Sequence, residues 1–211
     1  MADTLKQSEE ADELVAKHPG LSHVTAFIMA GDNRSAERAY GYLKSGEWDV
    51  DKAINLTGSY ARLAFADRLY EEGLLPLATY HRMLPELWRG SDPDDTDPRW
   101  LRLWKQARIR KGRLIHDGKP LPKRGRVDGQ VVIYRGQPAD APLGIAWTTD
   151  KKIAEKFANG AGARVPTPGG VVIVGNVHPD AVLAYLTGRT ESEVIVDPLF
   201  VTIDHYLTGD T

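Results

Sequence analysis

Val131-Val132-Ile133-Tyr134-Arg135-Gly136 is where this 211-residue sequence changes period. Three β-branched residues followed by an aromatic read as a strand. The same signature recurs downstream in Gly144-Ile145-Ala146-Trp147-Thr148, Val171-Val172-Ile173-Val174, Ala181-Val182-Leu183-Ala184-Tyr185, Glu193-Val194-Ile195-Val196 and Leu199-Phe200-Val201-Thr202-Ile203. Gly, Pro or Asp separates these runs, as turns require. One helix interrupts them, capped by Asp150, with Ile153, Ala154 and Phe157 as its apolar stripe. Upstream of the change the apolar spacing is helical over 35–44, 49–72 and 98–110, the last carrying Trp100, Leu101, Leu103 and Trp104. Gly73, Pro76, Pro85 and Gly90 punctuate these helices. The fold expected is therefore α+β, a helical N-terminal lobe followed by a strand-rich core. The boundary falls at the change of composition. Residues 1–125 form the helical lobe and a basic linker and 126–211 the strand-rich core, and the length also suits one compact domain.

Charge is nearly balanced, with 27 basic and 29 acidic residues, so no global field argues for nucleic acid or a membrane as partner. The absence of cysteine excludes disulfides, thiolate nucleophiles and Cys-ligated metals. The polar, acidic start and the lack of a long apolar run lead to an expectation of cytoplasmic residence. Residues 105–126 are the most basic part, which reads as a solvated helix end complementing the helix dipole, or as a patch for phosphate-rich ligands. The Asp-rich stretch 91–98 lacks the spacing and distal Glu of a calcium loop, and capping accounts for its last acids.

Three segments of the second half carry candidate chemistry. Glu191-Ser192-Glu193 opens a strand-like run, and strand alternation puts residues two apart on one face, so both carboxylates are expected to point the same way. Such a pair is either a solvated edge that discourages strand pairing or a site that works on a cation. In Tyr134-Arg135-Gly136 an arginine leaves an apolar strand beside a residue that permits close backbone approach; it suits a phosphate clamp or an ordinary salt bridge. Trp147-Thr148-Thr149-Asp150 offers two hydroxyls where a strand runs into a helix, either as ligands or as routine turn chemistry.

In this order and spacing the segments resemble the mono-ADP-ribosyltransferases of the Arg-Ser-Glu class, found among bacterial toxins, phages and vertebrate ecto-enzymes. That family shows an aromatic-Arg-Gly strand, a Ser-Thr-Ser strand leading into a helix with Ala and Phe, and a Glu-x-Glu strand. The matching stretches are Tyr134-Arg135-Gly136, Trp147-Thr148-Thr149 with Ala154 and Phe157, and Glu191-Ser192-Glu193. The resemblance covers roughly residues 131–203 and implies mostly antiparallel sheets. With Thr148 and Thr149 set on the last two positions of Ser-Thr-Ser, Trp147 replaces the first serine. Thr149 then supplies that hydroxyl, or Trp147 packs beside nicotinamide, or Trp147 is a core residue.

The resemblance implies cleavage of the nicotinamide–ribose bond of NAD⁺ and transfer of ADP-ribose to a target protein, with NAD⁺ as co-substrate and no metal. By resemblance Glu193 stabilises the cationic ribose and Glu191 aligns the acceptor, for which arginine is the family's usual partner to Glu-x-Glu. Arg135 holds the phosphates, Gly136 presents main chain to the nicotinamide amide, and Trp147, Thr148, Thr149 and Phe157 line the cofactor pocket. Tyr185 and Arg189, in the segment before the acids, are the expected target contacts, and 159–170 is the expected cover of the nicotinamide side. Water as acceptor, nucleic acid as target, and a binding or inhibitor protein that retains the fold without the chemistry are the alternatives.

Overall fold

The computed structural model describes residues 2–91, 94–122, 126–160, 169–188 and 191–208. The chain is α+β: among the described residues, helices fill the first half and strands most of the second. It divides into two compact units, residues 1–93 and 94–211.

The first unit contains α1 (Ala2–Lys17), α2 (His23–Lys44), α3 (Val50–Leu56), α4 (Arg62–Glu71) and α5 (Leu77–Gly90). Ser22 and Asp49 cap α2 and α3, each accepting a first-turn N–H as good N-caps do. The helix expected over 49–72 is two helices. Between them Gly58 donates to the Ser35 hydroxyl and Tyr60 to the Asp32 carboxylate, and those bonds to α2 replace the helical ones. Small residues face inward on α2 (Ala26, Ala30, Ala36, Ala39), which lets neighbouring helices approach closely. Helix α5 continues through Pro85, which supplies no N–H to it.

The second unit begins with α6 (Pro98–Lys111), capped by Asp97 with Pro98 in the first turn and closed by left-handed Gly112. There follow β1 (Ile115–His116), β2 (Arg126–Val127), β3 (Gln130–Gln137), β4 (Ala146–Thr148), α7 (Lys151–Ala158), β5 (Val171–Val177), β6 (Val182–Leu186), β7 (Glu193–Val196) and β8 (Thr202–Thr208). The sheet runs β1-β6-β7-β4-β3-β5-β8, with β2 paired to β3. Among the described residues, only β1 with β6 is parallel, and the other pairings are antiparallel. One face carries the main core, with Val131, Ile133, Trp147, Ile173, Tyr185 and Val194. The other is covered by α7, whose Ala154 and Ala158 pack with Val172 and Tyr134.

The unit boundary lies some thirty residues before the expected 125/126. Helix α6 packs on β6 and β1, Arg108 donates to the Val182 carbonyl, and Lys105 pairs with the buried Asp197 carboxylate, so the basic stretch begins on a helix of the strand-rich unit. The last expected strand also shifts. Leu199 and Phe200 lie in a 3₁₀ turn, Pro198–Phe200, capped by Asp197, and β8 starts only at Thr202.

Candidate active site

Strands β3, β4 and β7 lie side by side, and register fixes which residues meet. Thr148 stands opposite Tyr134 on one neighbour and Glu193 on the other. With strands spaced by about 4.8 Å, Tyr134 and Glu193 are then roughly 9.5 Å apart across β4. Tyr134, Thr148 and Glu193 share the α7 face because partners in register point the same way. Arg135 leaves β3 on the opposite face.

Beyond the Tyr134–Thr148 pair, β3 and β4 part, and a cavity of about 460 Å³ opens along the β3 side of that gap. Arg135, Gly136, Gln137 and Phe157 line it, joined by Asp95 and Thr96 from the segment before α6. The Glu pair and both threonines stand outside this lining, with Thr148 and Glu193 level with Tyr134.

The end of β4 grips the Glu-Ser-Glu segment. Thr148, 6 % exposed, donates its hydroxyl to the Glu191 carbonyl at 2.6 Å and accepts the Asp150 N–H at 3.0 Å. The Thr149 N–H donates to the Ser192 carbonyl at 3.0 Å. Ser192 itself is left-handed, with φ of 48°, a conformation rare outside glycine, and β7 begins only at Glu193. The expected alternation of the two carboxylates therefore does not apply, since it requires extended backbone at the residue between them. Asp117 secures the chain just before this segment: its carboxylate accepts from Thr187 N–H and hydroxyl and from Gly188 N–H at 2.8–3.0 Å. Sequence reading missed Asp117, whose partners lie seventy residues away.

Arg135 is enclosed, with 12 % of its side chain exposed. It donates to both carboxylate oxygens of Asp95, to the Ala146 carbonyl at 2.7 Å and to the Gln137 side chain. Gly136 is required by α7, since a Cβ there would run into the Ala154 carbonyl and the Ala158 amide. Close packing of helix on strand thus accounts for this glycine before any ligand does.

Trp147 is a core residue. At 2 % exposure, with its indole N–H on the Gly144 carbonyl, it packs under the sheet and has no access to a cofactor. The hydroxyl-bearing residue opposite Glu193 is Thr148. Tyr185 is likewise buried, 6 % exposed on β6 opposite Val194, and cannot touch a target. Its place in a strand was legible from the sequence, but the face it takes depends on register with β7. Phe157 is 41 % exposed at the cavity. Arg189 and residues 161–168 of the expected cover lie outside the described residues.

Comparison of the chain with protein-family models, with curated proteins and with solved structures gives no match. Among the described residues no helix is long and apolar enough to cross a membrane, and no group of three or more His, Asp or Glu could hold a metal ion.

Proposed function

We propose that this chain is an NAD⁺-dependent mono-ADP-ribosyltransferase that modifies a target protein, with arginine the acceptor favoured by the Glu-x-Glu pair. The observation that carries the reading is the adjacency of β3, β4 and β7. Three segments with candidate chemistry, the third more than forty residues beyond the second, occupy neighbouring strands in register. A hydroxyl residue stands beside the carboxylate assigned to the ribose, and the strand carrying the arginine opens into a cavity. The position of Trp147 in the core, with Thr148 bearing the hydroxyl opposite Glu193, supports the same reading.

In this reading the oxocarbenium-like ribose forms beside Glu193, whose charge stabilises it in the transition state more than in the ground state. Nicotinamide leaves with the bonding electron pair, and the acceptor nitrogen, deprotonated with help from Glu191, forms the new bond to C1′. Phe157 offers a ring face at the cavity for the nicotinamide.

Incubation of the protein with labelled NAD⁺ and lysate tests this directly. Label on protein, removed by protease but not nuclease, is the expected result, and Glu193→Gln is expected to reduce nicotinamide release by roughly 100-fold or more. Release of nicotinamide without labelled macromolecule would make water the acceptor and the chain a glycohydrolase. Label removed by nuclease would move the acceptor to nucleic acid, and no nicotinamide release would remove the enzymatic reading altogether.

A further inference from the structure

We infer that Asp95, which lies outside every motif of the second half, is the positioning residue that holds Arg135 in the NAD⁺ site. This rests on the transferase reading. The Asp95 carboxylate spans the guanidinium fork, one oxygen on each terminal nitrogen, the strongest geometry available to such a pair. It is also fixed from elsewhere. One oxygen accepts the Ala146 N–H at 3.0 Å and the Asp95 carbonyl accepts the Ile145 N–H at 3.1 Å, so the segment is pinned to the start of β4 by bonds that do not involve Arg135. Residue 144 is glycine where a Cβ would overlap the carboxylate. A group with its own anchors and its own space is a fixture of the site. A displaceable plug would depend on Arg135 alone.

The consequence for Arg135 is specific. Among the described residues, four of the five guanidinium N–H groups have partners on Asp95, Ala146 and Gln137, which leaves one Nη2 N–H for a ligand, Arg135 being part of the cavity lining. Arg135 thus meets a phosphate through one donor, with Asp95 setting its direction. Removing the carboxylate leaves a guanidinium 12 % exposed without its counter-charge and free to turn.

Steady-state nicotinamide release by the full chain separates the possibilities. Asp95→Asn is expected to raise the KM for NAD⁺ roughly tenfold with kcat changed less than about threefold, the signature of lost binding. On an Arg135→Ala background the same change is expected to add nothing, because it acts through Arg135. Gly144→Ala, which keeps every charge and presses a methyl group on the carboxylate, should move KM in the same direction. A lower KM in Asp95→Asn would mean that the carboxylate competes with phosphate, and an unchanged KM or additive effects would mean that it acts elsewhere; any of these overturns the inference. An NMR measurement keeps it independent of catalysis: the Arg135 Nη hydrogens, which Asp95 accepts, should exchange slowly with solvent in the wild type and at least about tenfold faster in Asp95→Asn. If the wild type releases no nicotinamide, the transferase reading falls, while equal exchange rates would reject the positioning role itself.

Discussion

Thr148 shows how much one hydroxyl can organise. It is both donor and acceptor, to the Glu191 carbonyl and from the Asp150 N–H, so it joins the end of β4 to the acidic segment and to the start of α7. Thr148→Val keeps shape and strips both bonds, leaving a carbonyl and an amide without partners at about 1–3 kcal/mol. Nicotinamide release is expected to fall by roughly tenfold through misplacement of the segment, and Thr148→Ser to restore it. Equal activity in the valine variant would show that the bond is dispensable. Asp97 makes a second prediction. The Arg99 side chain donates to its carboxylate and holds its pKa below the ordinary 3.8, against the opposing effect of burial. A folded pKa below the unfolded one stabilises the fold fully above the unfolded value, and this is lost as pH falls through the folded value. Asp97→Ala should therefore lower stability by about 1 kcal/mol at neutral pH, a difference that shrinks below pH 3.8 when unfolding is followed by denaturant.

At the scale of elements, the turn that delivers the Glu pair has supports at both ends. Asp117 receives two backbone N–H groups just after β6, and Thr148 and Thr149 hold the residues just before β7. These supports act on main chain, so substitution at Asp117 leaves the carboxylates in place chemically and alters how the turn is presented. Asp117→Ala is expected to lower transfer to protein by roughly tenfold while changing NAD⁺ hydrolysis less than about threefold, and matched losses would deny the turn a separate role. Glu191→Gln should show the same division if Glu191 serves the acceptor. Helix α7 makes a structural demand of its own on β3. Gly136→Ala forces a methyl group into the helix backbone and should destabilise the fold by about 1–3 kcal/mol, measurable by thermal unfolding whether or not NAD⁺ is present.

For the molecule as a whole, the division at 93/94 predicts what a fragment needs. A chain starting at Asp94 retains α6 and the Asp95–Arg135 pair, and it should keep the circular-dichroism signature of the sheet. One starting at 126 loses the helix that packs on β6 and β1, together with the counter-charge of a nearly buried arginine, and should not fold. A well-folded fragment from 126 would restore the boundary read from composition. The class of fold was legible because periodicity and β-branching are local properties: strands at β3, β5, β6 and β7 and the Asp150-capped helix follow from their own residues. The three motif segments were legible too, since their residue types are visible without contacts. The sequence could not reveal that Trp147 and Tyr185 point into the core, because an aromatic in a strand takes its direction from register. It could not separate Glu191 from β7, because a left-handed serine is a local departure held in place by Thr148 and Thr149 from another strand. Nor could it pair Asp95 with Arg135 across forty residues. The sequence by itself determined the α+β class and the candidate chemistry; tertiary structure decided which side chains share a face and which donors remain for a ligand, since both depend on strand register and on bonds between distant segments.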